Sequence, residues 1–265
     1  MRERMYKIKL FFLYLTSRTI SYLNGDYQKS RKKILQYKDK YKGKKCFVIG
    51  NGPSLTPEDL TKIKEKGIKT FASNKVYRIF ESTEWRPDFY AMVDESVADK
   101  ECIIQNNKFE CEAKFFRREG WYVYHNIENA IYMNSWYSRK FLDSPAFSEE
   151  ISEGVYTIAT VTYVLLQIAR YMGFSEIYLL GMDNKYKYGM TKDGVVFRNE
   201  NVLSYFGEVD KNEDLPKTAP ATWELDLAYE YADKYSRDHG FRIYNATRGG
   251  FLEKFERVSF DEVVK

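Results

Sequence analysis

Lys44-Lys45-Cys46-Phe47-Val48-Ile49-Gly50-Asn51-Gly52-Pro53-Ser54-Leu55 is an apolar run that breaks into glycines and leads into Thr56-Pro57-Glu58-Asp59. Its spacing predicts a strand, a tight loop and a helix. Cys46 to Ile49 has the length of a buried strand, and Gly50 and Gly52 admit backbone angles that other residues avoid. Thr56 followed by Pro57 reads as an N-cap with a first-turn proline, and Asp59 completes a capping-box-like pair. A turn of this kind aims backbone N–H groups and the positive end of a helix at one point, which suits a phosphate, with Asn51 and Ser54 adding side-chain hydrogen bonds. A βα turn without any ligand fits the same residues. The stretch is neither a Walker A loop nor a GxGxxG fingerprint.

Working outward, Pro57 to Lys66 reads as the helix, and Ile68 to Ser73 as a second strand that delivers Asn74 to its carboxyl end. Asp88 to Val93 is a third strand, ending on Asp94 and Glu95. Ligands of open α/β sheets sit at carboxyl ends of strands, so these residues are site candidates. Trp121 to His125 reads as a strand, with His125 a hydrogen-bonded structural residue. Glu153-Gly154-Val155-Tyr156 is read as the opening of a long apolar helix through Met172, which would make Gly154 and Val155 a second anion-binding turn. Ser175 to Asp183 is a buried strand ending in Gly-x-Asp. Residues 184 to 220 show no apolar periodicity, carry Tyr186 and Tyr188, and read as a lid. Ala221 to His239 is helical, with His239 placed as a C-terminal dipole partner.

The 265 residues, 44% apolar and 17% aromatic, predict one domain of α/β class with a mostly parallel sheet. Three cysteines and two histidines, none at metal-ligand spacing, argue against a disulfide framework or a metal site and for a reducing cytosol. Charge is uneven. Residues 1 to 45 hold 14 Lys and Arg against three acids, a net of +11, so the remainder is −7 in a chain of +4 overall. A basic arm over 1–43 thus precedes a mildly acidic domain over 44–265. Ile8, Phe11, Phe12, Leu15, Tyr22 and Leu23 recur near helical spacing within the arm, an apolar centre too short to span a bilayer. An anionic membrane surface, the chain's own domain, or a second subunit in a homo-oligomer are the surfaces this helix fits. The arm has no aromatic platform for nucleic acid, and none is expected as a partner.

Taken together, VIGNGPSL, the strand-end Asn74, EGVY and EIYLLGMD resemble two related groups. One is the MptE-like domain family, named for an archaeal 6-hydroxymethylpterin diphosphokinase and widespread in bacterial polysaccharide loci. Glu84 to Tyr90 and the IYNATRGG segment are similar to its bacterial members. The other is the bacterial lipooligosaccharide sialyltransferase group, which carries a GNGPSL turn, an SGVY turn and an EIYLSGID strand in the same order.

The resemblance implies a Rossmann-like sheet with a lid and a CMP-sugar donor lying across the strand ends, with a glycan as acceptor and no cofactor required. Asn51, Gly52, Pro53, Ser54 and Asn74 match nucleotide-binding positions, and Gly154 with Val155 matches the turn near ribose and phosphate. Tyr186 and Tyr188 match lid tyrosines that stabilise the leaving phosphate. One departure matters, because the sialyltransferases use a lid histidine as general base and residues 184 to 222 contain none. Asp94, Glu95, Asp183 or Glu224 would then take the proton. In a diphosphokinase the same acids would hold Mg2+ between phosphates. With the reducing cytosol read from the cysteines and the basic arm with its short apolar centre, such an enzyme is expected in the cytoplasm, peripheral on the inner face of the membrane.

Overall fold

The computed structural model describes residues 2–95, 98–136, 146–200, 202–206 and 219–265. At its centre is an eight-stranded sheet in the order β12-β11-β8-β1-β2-β3-β4-β5, every pair of which is parallel. The strands are β1 (Lys45–Ile49), β2 (Lys69–Ser73), β3 (Phe89–Met92), β4 (Ala113–Arg117), β5 (Ala130–Met133), β8 (Glu176–Leu180), β11 (Arg242–Asn245) and β12 (Glu256–Arg257). The chain winds outward from β1 to β5, returns to place β8 on the other side of β1, and winds outward again. The order therefore reverses between β1 and β8, and a crevice opens there beyond the carboxyl ends. This is the Rossmann-like α/β arrangement expected from the sequence.

Central strands buried on both faces must be apolar throughout, and Cys46 to Ile49 and Ile177 to Leu180 are. On one face α6 (Val161–Tyr171) runs against β1, β2 and β3 and is covered by α7 (Thr222–Asp238). Its apolar residues are buried all round, as a helix between two layers requires. On the other face α3 (Pro57–Glu65) buries Leu60 and Ile63, and α4 (Lys100–Lys108) buries Cys102. Thr56 caps α3 as expected, its side chain accepting from the Asp59 N–H, but the Asp59 carboxylate turns to Arg248 instead of closing the box.

The structure departs from two of the sequence readings. Trp121–Tyr124 is a short helix, α5, in which the bulky aromatics serve a helical turn; Trp121 donates from its indole N–H to Asp26. The helix expected at Gly154 begins at Val161, capped by the Thr160 side chain, and Val155–Tyr156 forms β7 paired with β6 (Ser135–Trp136). Gly154 itself has φ +156, and a Cβ there would meet the Trp136 ring. Within the expected lid, Tyr188–Met190 (β9) and Val196–Arg198 (β10) form an antiparallel hairpin. Asn201, residues 207–218 and Tyr137 lie outside the described residues.

The basic arm consists of α1 (Arg2–Leu23) and α2 (Asp26–Leu35). α2 is amphipathic: Ile34 is buried, and Ser30 Oγ accepts from the Tyr132 N–H of the edge strand β5. That contact covers a sheet edge that would otherwise be open.

Candidate functional site

The crevice at the β1/β8 switch is a cavity of about 780 Å³. Gly50, Asn51 and Gly52 line it from the end of β1, Ser73 and Asn74 from β2, Val93 and Asp94 from β3, Arg117 from β4, and Gly181 to Tyr186 follow β8. Thr157 and the α6 start, Ala159 to Thr162, form one wall; Glu224, Leu225 and Tyr229 of α7 form another.

The β1 and β8 loops are stitched together at the floor. Gly50 donates to Leu180 O at 2.7 Å and Gly52 to Gly181 O at 2.9 Å. A Cβ on Gly50 would collide with Gly181 O, and one on Gly52 with the Asp183 carboxylate, so both positions need glycine for close approach. Ser54 donates to Asp183 Oδ2 from its N–H (3.3 Å) and its hydroxyl (2.7 Å). Asn51 Nδ2 donates to Ser73 O at 3.1 Å. The side chains read as phosphate ligands therefore brace the loops, and Pro53 and Ser54 are not in the cavity wall.

Asn74 stands apart. It adopts φ +52, Tyr90 donates to its carbonyl at 2.7 Å, and its side-chain Oδ1 is buried without a hydrogen-bond partner. Such an acceptor costs free energy unless a ligand or water satisfies it. Ala159, a residue with no side chain to favour the left-handed region, sits at φ +52 in the opposite wall, which is backbone strain beside the cavity. Asn184, at φ +49, holds Asp226 through Nδ2 at 3.2 Å while its Oδ1 is buried without a partner.

Of the expected catalytic groups, Asp94, Asp183 and Tyr186 line the cavity. Burial lifts the Tyr186 phenol well above its usual pKa, with nearby acids and tyrosines adding to the effect, so it stays a donor. Glu95 is not in the wall. It lies behind it, 3.5 Å from Arg117 Nη1, and burial raises its carboxyl above the ordinary value against the opposing pull of Arg117. Tyr188 is also outside the cavity, and its hydroxyl is buried without a partner. Gly154 and Val155 do not reach it either; Thr157 and Ala159 to Thr162 occupy the wall where that turn was expected. His125 stacks on Trp121 and His239 on Tyr235, each with Nδ1 at a helix carbonyl, so neither enters the site.

Sequence reasoning missed Tyr14 of α1, which also lines the cavity, its ring 4.6 Å from the Arg117 guanidinium. It missed Tyr229 too, buried on α7, whose phenol is raised by burial while side-chain hydrogen bonds with Thr162 and Thr160 act the other way. Among the described residues no three His, Cys, Asp or Glu come together as a metal site.

A family model described as 6-hydroxymethylpterin diphosphokinase MptE-like matches residues 22–189. Among solved structures the chain is similar to that of MAf glycosyltransferase from Magnetospirillum magneticum AMB-1, with a TM-score of 0.51 and 16% identity. The match covers 89% of this chain and 38% of that one, so the chain spans well under half of that protein, and the likeness concerns fold. No curated protein matches the chain.

Proposed function

This chain belongs to the MptE-like family, and from that premise we propose that it is a glycosyltransferase of cell-surface polysaccharide assembly that takes a nucleotide-activated sugar. A CMP-linked, sialyltransferase-like donor is the form we favour, with a glycan hydroxyl as acceptor. The observation that carries the reading is the cavity at the topological switch with the orphaned Asn74 Oδ1 in its lining, a place built for a polar ligand that brings its own donor. In this reading Asn74 accepts from an amino group of the base or a ribose hydroxyl. The opposite wall, at the amino end of α6, faces the phosphate.

Transfer breaks the bond between the anomeric carbon and the phosphate oxygen and forms one to the acceptor oxygen. Asp94, or Asp183 if its bond to Ser54 opens, takes the acceptor proton. Tyr186, held protonated by burial, donates toward the charge that develops on the leaving phosphate. Charged substrates and the basic arm suit a protein peripheral on the inner face of a membrane. Among the described residues no helix is long and apolar enough to cross one.

The family's descriptive name favours a second reading, a diphosphokinase-like phosphotransferase. Asp94 and Asp183 would then be the carboxylates to hold a Mg2+, which would neutralise charge on the transferring phosphates. A thermal-shift panel of CMP, CDP, UDP, GDP and ATP with and without magnesium separates the two. Stabilisation by CMP or CDP without metal is the expected result, and a shift with ATP and magnesium alone would overturn it in favour of phosphotransfer.

A further inference from the structure

We infer that α1 is both a wall of the cavity and the surface that seats the cavity on an anionic bilayer, so that the acceptor is carried by a lipid. The word acceptor rests on the glycosyltransferase reading, but the seating does not. The inner side of α1 is docked on the domain: Ser17 and Ser21 are buried, and Arg118 donates to Ser21 Oγ at 2.8 Å and to Arg18 O at 2.6 Å. Tyr14, less than one turn before Ser17, faces the cavity beside Arg117. The outer side is apolar and uncovered. Phe11, Phe12 and Leu15 are 63%, 59% and 52% exposed, and Ile8, Tyr22 and Leu23 are exposed with them. At helical spacing these residues fall on the side turned away from Ser17 and Ser21.

Charge says what covers that face. The first 45 residues carry a net of +11, so a second copy pairing through the same helix would bring like charge against like charge, whereas anionic headgroups meet the opposite sign. A helix too polar at its ends to cross a bilayer, with aromatics on one side and Lys and Arg around them, lies in the interface. A helix with its side chains is about 10 Å thick, so the wall at Tyr14 then stands about one helix diameter from the headgroups. A glycan on a lipid reaches the cavity from there without leaving the bilayer.

The test uses the full chain with no nucleotide. Wild type and the Phe11→Ser, Phe12→Ser, Leu15→Ser triple variant are sedimented at low salt with vesicles of phosphatidylglycerol and phosphatidylcholine, and with phosphatidylcholine alone. Wild type is expected to bind only the anionic vesicles, and the triple variant about tenfold more weakly, at an unchanged melting temperature, because its exposed side chains hold nothing else. Orientation is read from a fluorophore on Lys185→Cys, at the cavity, or on Lys66→Cys, at the end of α3 remote from it, in a Cys111→Ser background where Cys46 and Cys102 are buried. Headgroup-nitroxide lipids should quench the first and spare the second. Failure of wild type to sediment overturns the inference, as does equal or reversed quenching. A wild-type dimer that the triple variant converts to monomer assigns the face to a second copy and overturns it as well. Deleting the helix would not serve, since Arg118 would lose both of its α1 partners.

Discussion

Ser54 and Asp183 meet across the switch point, the Ser54 hydroxyl donating to Asp183 Oδ2 at 2.7 Å and its N–H reinforcing the contact at 3.3 Å. One residue follows β1 and the other β8, so the bond ties the two halves of the sheet at the cavity floor. A half-buried hydrogen bond to a carboxylate contributes about 1–2 kcal/mol. Ser54→Ala should lower stability by that amount in urea unfolding. In a double-mutant cycle with Asp183→Asn the two losses should fall short of additivity by about 0.5 kcal/mol or more. Full additivity would mean that the contact carries no energy.

Asn74 offers a cleaner probe of binding. Because it holds φ +52, Ala would add backbone strain, whereas Gly removes the side chain and keeps the turn. Asn74→Gly should leave stability within about 1 kcal/mol of wild type, since Oδ1 has no protein partner to lose. The same change should weaken CMP binding about tenfold, the value of one hydrogen bond to a ligand, read by calorimetry. Unaltered binding would place the base elsewhere.

Tyr186 and Tyr188 should separate. Tyr186→Phe should lower kcat about tenfold or more with little effect on nucleotide affinity, because a donor aimed at developing charge acts in the transition state. Tyr188→Phe should leave turnover unchanged and the melting temperature equal or higher, since it deletes a buried hydroxyl that has no partner. Equal losses in both variants would contradict this geometry.

Glu95 makes a pH prediction. Burial raises its folded carboxyl above the ordinary 4.5, with Arg117 opposing. A group raised on folding contributes stability that is complete below its unfolded pKa and is lost as pH rises through the folded one. The stability of wild type relative to Glu95→Gln should therefore fall as pH climbs from about 4.5 into the range just above it. Thermal unfolding at a series of pH values tests the slope, and a rise over that interval would mean that Arg117 outweighs burial.

The parallel centre of the fold was legible because strands buried on both faces are continuous apolar runs, and Lys45–Ile49 and Glu176–Leu180 look like nothing else. The Thr56-Pro57 start of α3 was legible for the same local reason. Local pattern misled where two apolar elements abut. Val155 to Tyr171 reads as one helix, and the break at Ala159-Thr160 shows only as a single capping threonine. At Trp121–Tyr124 aromatic strand preference lost to the turn that packs Tyr124 in the core and ties Trp121 to Asp26. Tyr14 could not be found from its neighbours, because its place beside Arg117 is a contact across most of the first half of the chain. Ser54 reads as a ligand residue in the sequence because its partner, Asp183, lies far along the chain.

The reversal of strand order also sets when the cavity can exist. Strands β1 to β5 pair with successive neighbours as the chain is made, yet Phe47 waits for Tyr178 before β1 has both flanks. Half of the cavity floor arrives with Gly181 to Asp183. Closing so long a loop is the slow kind of contact, and domains assemble from the amino end during synthesis. Ligand affinity should thus appear only at the last stage of folding, and a nucleotide would act as a template that draws the second half of the sheet onto the first.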